Sequence, residues 1–111
     1  MVNRHRGEIE ATLNGQPHTL CLTLGALADL EHAFGATDML ALAERFEAGR
    51  LSATDAIRII AAGLRGGGHE CDDTQVAAMQ TDGGAAGYVD IVVRLLAATF
   101  GQPEASTPGK S

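Results

Sequence analysis

The sequence is poor in the residues from which several common kinds of protein are built. Aromatic residues make up only 4% of the chain and Trp is absent, so a core must come from Leu, Ala, Ile and Val. Two cysteines, Cys21 and Cys71, are too few for the disulfide framework of a small secreted domain. No apolar run reaches the roughly 18–20 residues that span a bilayer, since the longest candidate, residues 88–100, contains Asp90 and Arg94. We therefore expect neither a disulfide-stabilised nor a membrane-spanning protein.

Basic residues are also scarce. The chain has 8 Lys and Arg against 14 Asp and Glu, which gives a formal charge of −6 and a pI of about 5.0. Affinity for nucleic acid comes largely from clustered Lys and Arg, whereas the basic residues here are spread along the chain, so no nucleic-acid partner is expected. The first ten residues are polar and lack the apolar run of a secretory signal. We expect the protein to fold in the cytoplasm.

The N-terminal part of the chain has the pattern of a β-hairpin. Residues 7–13 and 18–24 alternate between apolar and polar side chains, which is the period of a half-buried strand. Asn14-Gly15 lies between them and is typical of a two-residue type I′ turn. That turn fixes a register in which Leu13 pairs with Gln16, Ala11 with His18 and Ile9 with Leu20. Pattern and turn agree, since the register places Ile9, Leu20 and Leu22 on one face.

The remainder of the chain is predicted to form short helices separated by glycines, of which the sequence has 14. Apolar residues recur there at intervals of three and four, the period of an amphipathic helix. The first predicted helix lies between the Thr23 N-cap and Gly35, and the second runs from Thr37 or Asp38 to Ala48. The third runs from Ala53 to Arg65 and begins at a capping box of Ser52 and Asp55. The fourth runs from Asp72 to Met79 and the fifth from Ala85 to Phe100.

The expected fold class is α+β, mostly α, with an N-terminal β-hairpin followed by four or five short helices. We expect a single domain over residues 1–101 and a disordered tail over residues 102–111, which contain two Pro and no large apolar residue. The run Gly66-Gly67-Gly68 is predicted to be a flexible joint. The last helix is apolar around most of its circumference, which favours either a central core position or coverage by a partner.

Candidate chemical sites are weak throughout. His69 and Cys71 lie close together, but zinc sites need further paired ligands at set spacings, so no metal is expected. Cys71 is flanked by acids, which raise a thiol pKa, and Cys21 falls within a predicted strand. Residues 65–69 superficially resemble a phosphate loop but lack its Gly-Lys-Ser/Thr ending. We predict no catalytic residues, no cofactor and no enzymatic activity.

Several segments together resemble a known family. The pattern LTLGALADLE at residues 22–31, followed by Phe34-Gly35, and the later GLRGGG at residues 63–68 are specific in combination. Similarity continues through residues 3–9, 42–46 and 49–52, and covers roughly Asn3 to Phe100. The chain resembles the gene transfer agent family of small tail proteins, which are phage-like proteins encoded by alphaproteobacteria.

The resemblance implies a tail assembly chaperone. Such proteins coat the long tape-measure protein of a phage tail, keep it soluble, and deliver it to the polymerising tail tube. Members of the family have also been described as tail tube components, so a structural part of the particle is the alternative, with the tail tube protein as a further partner. A protein-binding adaptor derived from a prophage is a third reading. Repeated coating of a filamentous client suggests weak self-association.

Binding a helix-rich client requires an apolar groove. The residues predicted to form it are apolar positions of the first and last helices: Leu27, Leu30 and Phe34 beside Val89, Val93 and Leu96. The alternative interpretation is that all six belong to the ordinary core, because the same helical spacing serves either purpose.

Overall fold

The computed structural model describes residues 7–47 and 51–101. Within them the chain forms two strands and five helices, which confirms the predicted α+β, mostly α class. The elements are β1 (Glu8–Leu13), β2 (Gln16–Cys21), α1 (Leu24–Phe34), α2 (Met39–Glu47), α3 (Ala53–Gly66), α4 (Asp73–Ala77) and α5 (Gly84–Phe100). The predicted tail at residues 102–111 and the predicted helix end at Ala48 lie outside the described residues.

The hairpin has the predicted register. Ile9 pairs with Leu20, Ala11 with His18, and Leu13 with Gln16. Asn14 and Gly15 adopt φ angles of 55° and 76°, the left-handed region that a type I′ turn requires at both central positions. Ile9, Ala11, Leu13 and Leu20 are buried on one face. The second strand ends at Cys21, before the predicted Leu24, because Thr23 already caps the next helix.

Side-chain caps begin the first two helices. The Thr23 hydroxyl accepts a hydrogen bond from the Ala26 amide at 3.1 Å, as predicted. Asp38, rather than Thr37, caps α2, since its carboxylate accepts from the Ala41 amide at 2.8 Å. These caps satisfy amides that the first turn of a helix leaves without partners.

The third helix is the centre of the fold. It begins at the predicted capping box, in which the Asp55 amide donates to the Ser52 hydroxyl at 3.1 Å and the Ser52 amide donates to the Asp55 carboxylate at 3.2 Å. Helix α3 packs against β2, α1, α4 and α5. Its side chains Ile59, Ile60 and Leu64 are buried, so this helix supplies much of the core that the hairpin and the other helices share.

The C-terminal end of α3 lies directly on the backbone of β2. A Cβ atom added to Gly66 would fall 1.9 Å from the Cys21 carbonyl oxygen, and one added to Gly67 would fall 2.0 Å from that of Thr19. Only glycine permits this approach. At these two positions the glycine run serves close packing, a role that the prediction of a flexible joint did not include.

The hairpin is also joined to the C-terminal part of the chain. The Arg94 guanidinium donates to the Glu10 carbonyl oxygen at 2.9 Å. The Asn14 amide donates to the Gln80 carbonyl at 2.7 Å, and the Gln80 amide donates to the Asn14 side chain at 2.9 Å. The two bonds between Asn14 and Gln80 hold the segment between α4 and α5 against the turn.

Helix α4 begins at the predicted capping box of Asp72 and Gln75. It ends at Ala77, two residues before the predicted Met79.

Replacing Gly66 with Ala tests the close approach of α3 to β2. We expect G66A to lower the free energy of unfolding by about 2–3 kcal/mol, because the new methyl group overlaps a backbone carbonyl and separates the helix from the strand. Urea denaturation measures the change. The matched control is G25A in α1, where a Cβ meets only the Thr23 hydroxyl oxygen at 3.8 Å. That variant should be unchanged or up to about 1 kcal/mol more stable. Equal stabilities for the two variants would contradict the assignment.

Candidate functional site

An apolar groove opens between α3, α4 and α5. Its volume is about 350 Å³. Helix α3 contributes Ala56, Ile57 and Ile60 to the lining, and α5 contributes Tyr88, Val89 and Val92. Val76 of α4 and Leu13 of β1 also line the groove. The floor is core, since Leu13, Ile60 and Val92 are almost fully buried.

Small side chains on α3 keep the groove open. Ala53 and Ala56 lie one turn apart along its wall, where larger residues would reach across toward α5. The opposite wall is formed by Val89, which is 53% exposed. An apolar surface of this shape has room for side chains from a partner, and lining of this kind is typical of binding sites for apolar ligands or helices.

The polar groups near the groove have partners. The Tyr88 hydroxyl donates to the Met79 carbonyl oxygen, which fixes the ring against the end of α4. Within the part of the chain that the structure describes, no buried side-chain nitrogen or oxygen lacks a hydrogen bond. The groove therefore offers shape and apolar surface rather than a polar group that would orient a small molecule.

The apolar surface continues along the outer face of α5. Val89, Val93, Leu96 and Phe100 follow each other at intervals of four, three and four residues, which places them on one face of the helix. We call these four residues the α5 stripe. Val93 is 52% exposed, Phe100 is exposed and Leu96 is half-buried. The stripe extends about 16 Å at 1.5 Å per residue, and Val89 belongs to both stripe and groove.

The six residues predicted to form a partner groove divide into two groups. Val89, Val93 and Leu96 lie together on the α5 stripe. Leu27 and Leu30 are only 6% and 2% exposed, because α1 uses this face to pack against the core. Phe34 is half-buried, with its ring 5.5 Å from that of Phe46 and under the Arg45 guanidinium at 5.0 Å.

The structure does not bring these two groups together as one groove. Helix α1 packs against α2 and α3, whereas α5 packs against α3 and the hairpin. None of the three α1 residues lines the groove between α3, α4 and α5. The partner surface that we carry forward is therefore the groove with the α5 stripe, and partner binding at Val89, Val93 and Leu96 stays a prediction.

The sequence of α3 contains a signal for its wall of the groove. The buried positions of α3 are flanked by the further apolar residues Ala53, Ala56 and Ile57. The apolar arc of the helix is therefore wider than packing against a single neighbour requires. A wide arc indicates that a helix packs in more than one direction. Which direction stays open to solvent depends on the positions of α4 and α5, which helical periodicity does not give.

The remaining chemical candidates have local explanations. The amides of Gly67, Gly68 and His69 donate to carbonyl oxygens at the end of α3, so this run does not present them to a phosphate. The rings of His18 and His69 are in edge contact, with centroids 4.8 Å apart. Within residues 7–47 and 51–101, no three His, Cys, Asp or Glu side chains lie together in a way that could hold a metal ion.

Cys71 has an environment that disfavours its thiolate. Burial raises the pKa of the Cys71 thiol, and the neighbouring Asp72 and Asp73 carboxylates raise it further, while Arg65 acts in the opposite direction. The thiolate is the reactive form of cysteine. A raised pKa therefore makes Cys71 a poor nucleophile near neutral pH.

No helix in the described ranges is long and apolar enough to cross a membrane. The family model described as phage tail tube protein, GTA-gp10, matches residues 6–102, which places the chain among phage-type tail proteins. The chain belongs to the GTA-gp10 family, and the resemblance to gene transfer agent tail proteins is confirmed. Searches of curated proteins and of solved structures found no match.

The pKa of Cys71 predicts slow alkylation. In the folded chain, we expect iodoacetamide to modify Cys71 several-fold more slowly at pH 8 than in the chain unfolded in urea, because less of the thiol is ionised. The midpoint of the rate against pH should shift upward on folding. Peptide mass spectrometry resolves Cys71 from Cys21 without mutation. Faster modification of the folded chain at neutral pH would contradict the raised pKa.

Proposed function

We propose that this protein is a tail assembly chaperone of a gene transfer agent or prophage, which binds the tape-measure protein during tail assembly and has no enzymatic activity. It acts in the cytoplasm of the bacterial host, an alphaproteobacterium if the family resemblance extends to its source. The observation that carries the proposal is the open apolar groove, which continues into the exposed α5 stripe.

The shape of this surface suits a helical client. A helix that lies in a groove inserts side chains at intervals of three, four and seven residues, and the α5 stripe offers apolar contacts at the same spacing. The groove lacks a buried polar group that would demand one particular sequence. A chaperone must bind many segments of a long chain and release them, so modest affinity and low sequence specificity are the properties required.

The outer edges of the hairpin favour a chaperone role over the role of a structural subunit that polymerises by strand addition. On β1, the carbonyl oxygens of Glu10 and Thr12 accept from Arg94 and Thr81 at 2.9 and 3.2 Å. On β2, the carbonyl oxygens of Thr19 and Cys21 face the glycines at the end of α3. Strand addition requires an open edge with available backbone groups, and on each edge of this sheet two outward carbonyl oxygens are already occupied or covered.

A structural component of the tail is the second candidate. The family description as a tail tube protein favours it. A tube requires head-to-tail contacts between two different surfaces of each subunit, and the groove with the α5 stripe would supply one of them. In this role the protein would remain in the finished particle beside the tail tube protein.

Co-expression with the neighbouring tape-measure gene tests the chaperone role. We expect the soluble fraction of the tape-measure protein to rise several-fold when this chain is present, because its apolar stretches are covered. An unrelated acidic protein of similar size, expressed at the same level, is the control. If the tape-measure protein is equally soluble with the control, the chaperone proposal fails. A stoichiometric amount of this chain in purified particles, measured by mass spectrometry, would favour the structural candidate instead.

A further inference from the structure

We infer that the groove and the α5 stripe dock an amphipathic helix whose apolar face is bordered by Lys and Arg. This inference rests on the proposed function and names the chemistry of the client segment. It depends on three features of the chain: its excess of acidic residues, the arrangement of its arginines, and the continuous apolar surface on α5.

The chain has an excess of acidic residues. It contains 14 Asp and Glu residues against 8 Lys and Arg residues, and its formal charge is −6. The field of such a surface attracts a cationic partner and speeds its association.

The arginines of the described residues are already paired. Arg45 lies 3.4 Å from Asp55, and Arg94 lies 2.9 Å from Asp90. Arg58 and Arg65 both approach Asp73, at 3.9 and 3.8 Å. These pairs involve three aspartates, so the arginines do not balance the excess acidic charge. Lys and Arg residues of a client segment would balance this excess.

The segment that contains α3, α4 and α5 shares this imbalance. Residues 51–101 carry six acidic residues and three arginines. Asp73 and Asp90 are paired with these arginines. Asp82, which precedes α5, has no ion pair among the described residues. A helix lying along α5 would thus place its flanking residues in a field that is negative overall, while its apolar face covers Val89 and Val93.

Other occupants fit less well. A second copy of the chain brings the same excess of negative charge, and like charges placed across an interface repel. Residues 102–111 include no large apolar side chain that could cover the stripe. A cationic amphipathic helix from a partner supplies both the apolar face and the missing positive charge.

A pair of synthetic peptides separates the apolar and the electrostatic contributions. Both are 18-residue helix formers with the same Leu and Ala face, and they differ only in having Lys or Glu at the flanking positions. We expect the full-length chain to bind the Lys peptide about tenfold more tightly than the Glu peptide, with the difference shrinking as salt is raised. Fluorescence anisotropy of labelled peptide measures both affinities. Equal affinities would overturn the electrostatic part of the inference.

Two variants with the same charge change locate the surface. We expect V89D to weaken Lys-peptide binding at least about tenfold, because it places a carboxylate between groove and stripe. The matched control is L40D on α2, since Leu40 is 68% exposed and lies outside the groove. L40D should bind like the parent chain. Circular dichroism checks that both remain folded, as expected for exposed positions. Identical binding by the two variants would overturn the assignment of the groove.

The same variants distinguish failure of this inference from failure of the chaperone role. If V89D keeps the tape-measure protein as soluble as the parent chain does, the groove is not the docking site although the chaperone proposal stands. If the tape-measure protein is soluble without this chain, the chaperone proposal fails whatever the peptides show. A dimer of the parent chain that V89D abolishes, measured by analytical ultracentrifugation, would assign the surface to a second copy and overturn the inference.

Discussion

Helix α3 touches the backbone of β2 at Gly66 and Gly67, and the rest of the structure is arranged around that contact. It brings Leu64 of the helix and Leu20 of the strand into one core, against which α1 and α5 pack. Because protein interiors are close-packed, a shift of the central helix by the width of a methyl group would be felt by every neighbour. The close packing of α3 on β2 also fixes the position of one wall of the groove, because α3 forms that wall.

The same arrangement covers the sheet on both sides. Helix α3 closes the edge of β2, and side chains at the start and middle of the C-terminal region bond to the edge of β1. In the proposed role, association with other tail proteins would use the helical surfaces rather than strand pairing. The exposed Val89 and Val93 side chains on α5 mark the surface that we propose for it.

Local chemistry in the sequence was enough to predict most of the fold. The Asn14-Gly15 turn fixed the strand register, and the Ser52 and Asp72 capping boxes fixed two helix starts, because each depends on residues within four positions of one another. The role of Gly66 and Gly67 was not predictable in this way, since it depends on a strand more than 40 residues away. Leu27 and Val89 each belong to a row of apolar residues with helical spacing. Only tertiary packing decides that Leu27 is buried and that Val89 lies in a groove.

The bonds between the turn and the C-terminal region have a consequence for synthesis of the chain. Asn14 and Gln80 are separated by 66 positions, and Glu10 and Arg94 by 84. At about 5–20 residues per second, the hairpin is synthesised on the order of several seconds before Gln80 and Arg94 are. During that interval one edge of β1 and the apolar face of Ile9 and Leu13 are uncovered. The edge of β1 is thus covered only after α5 has been synthesised.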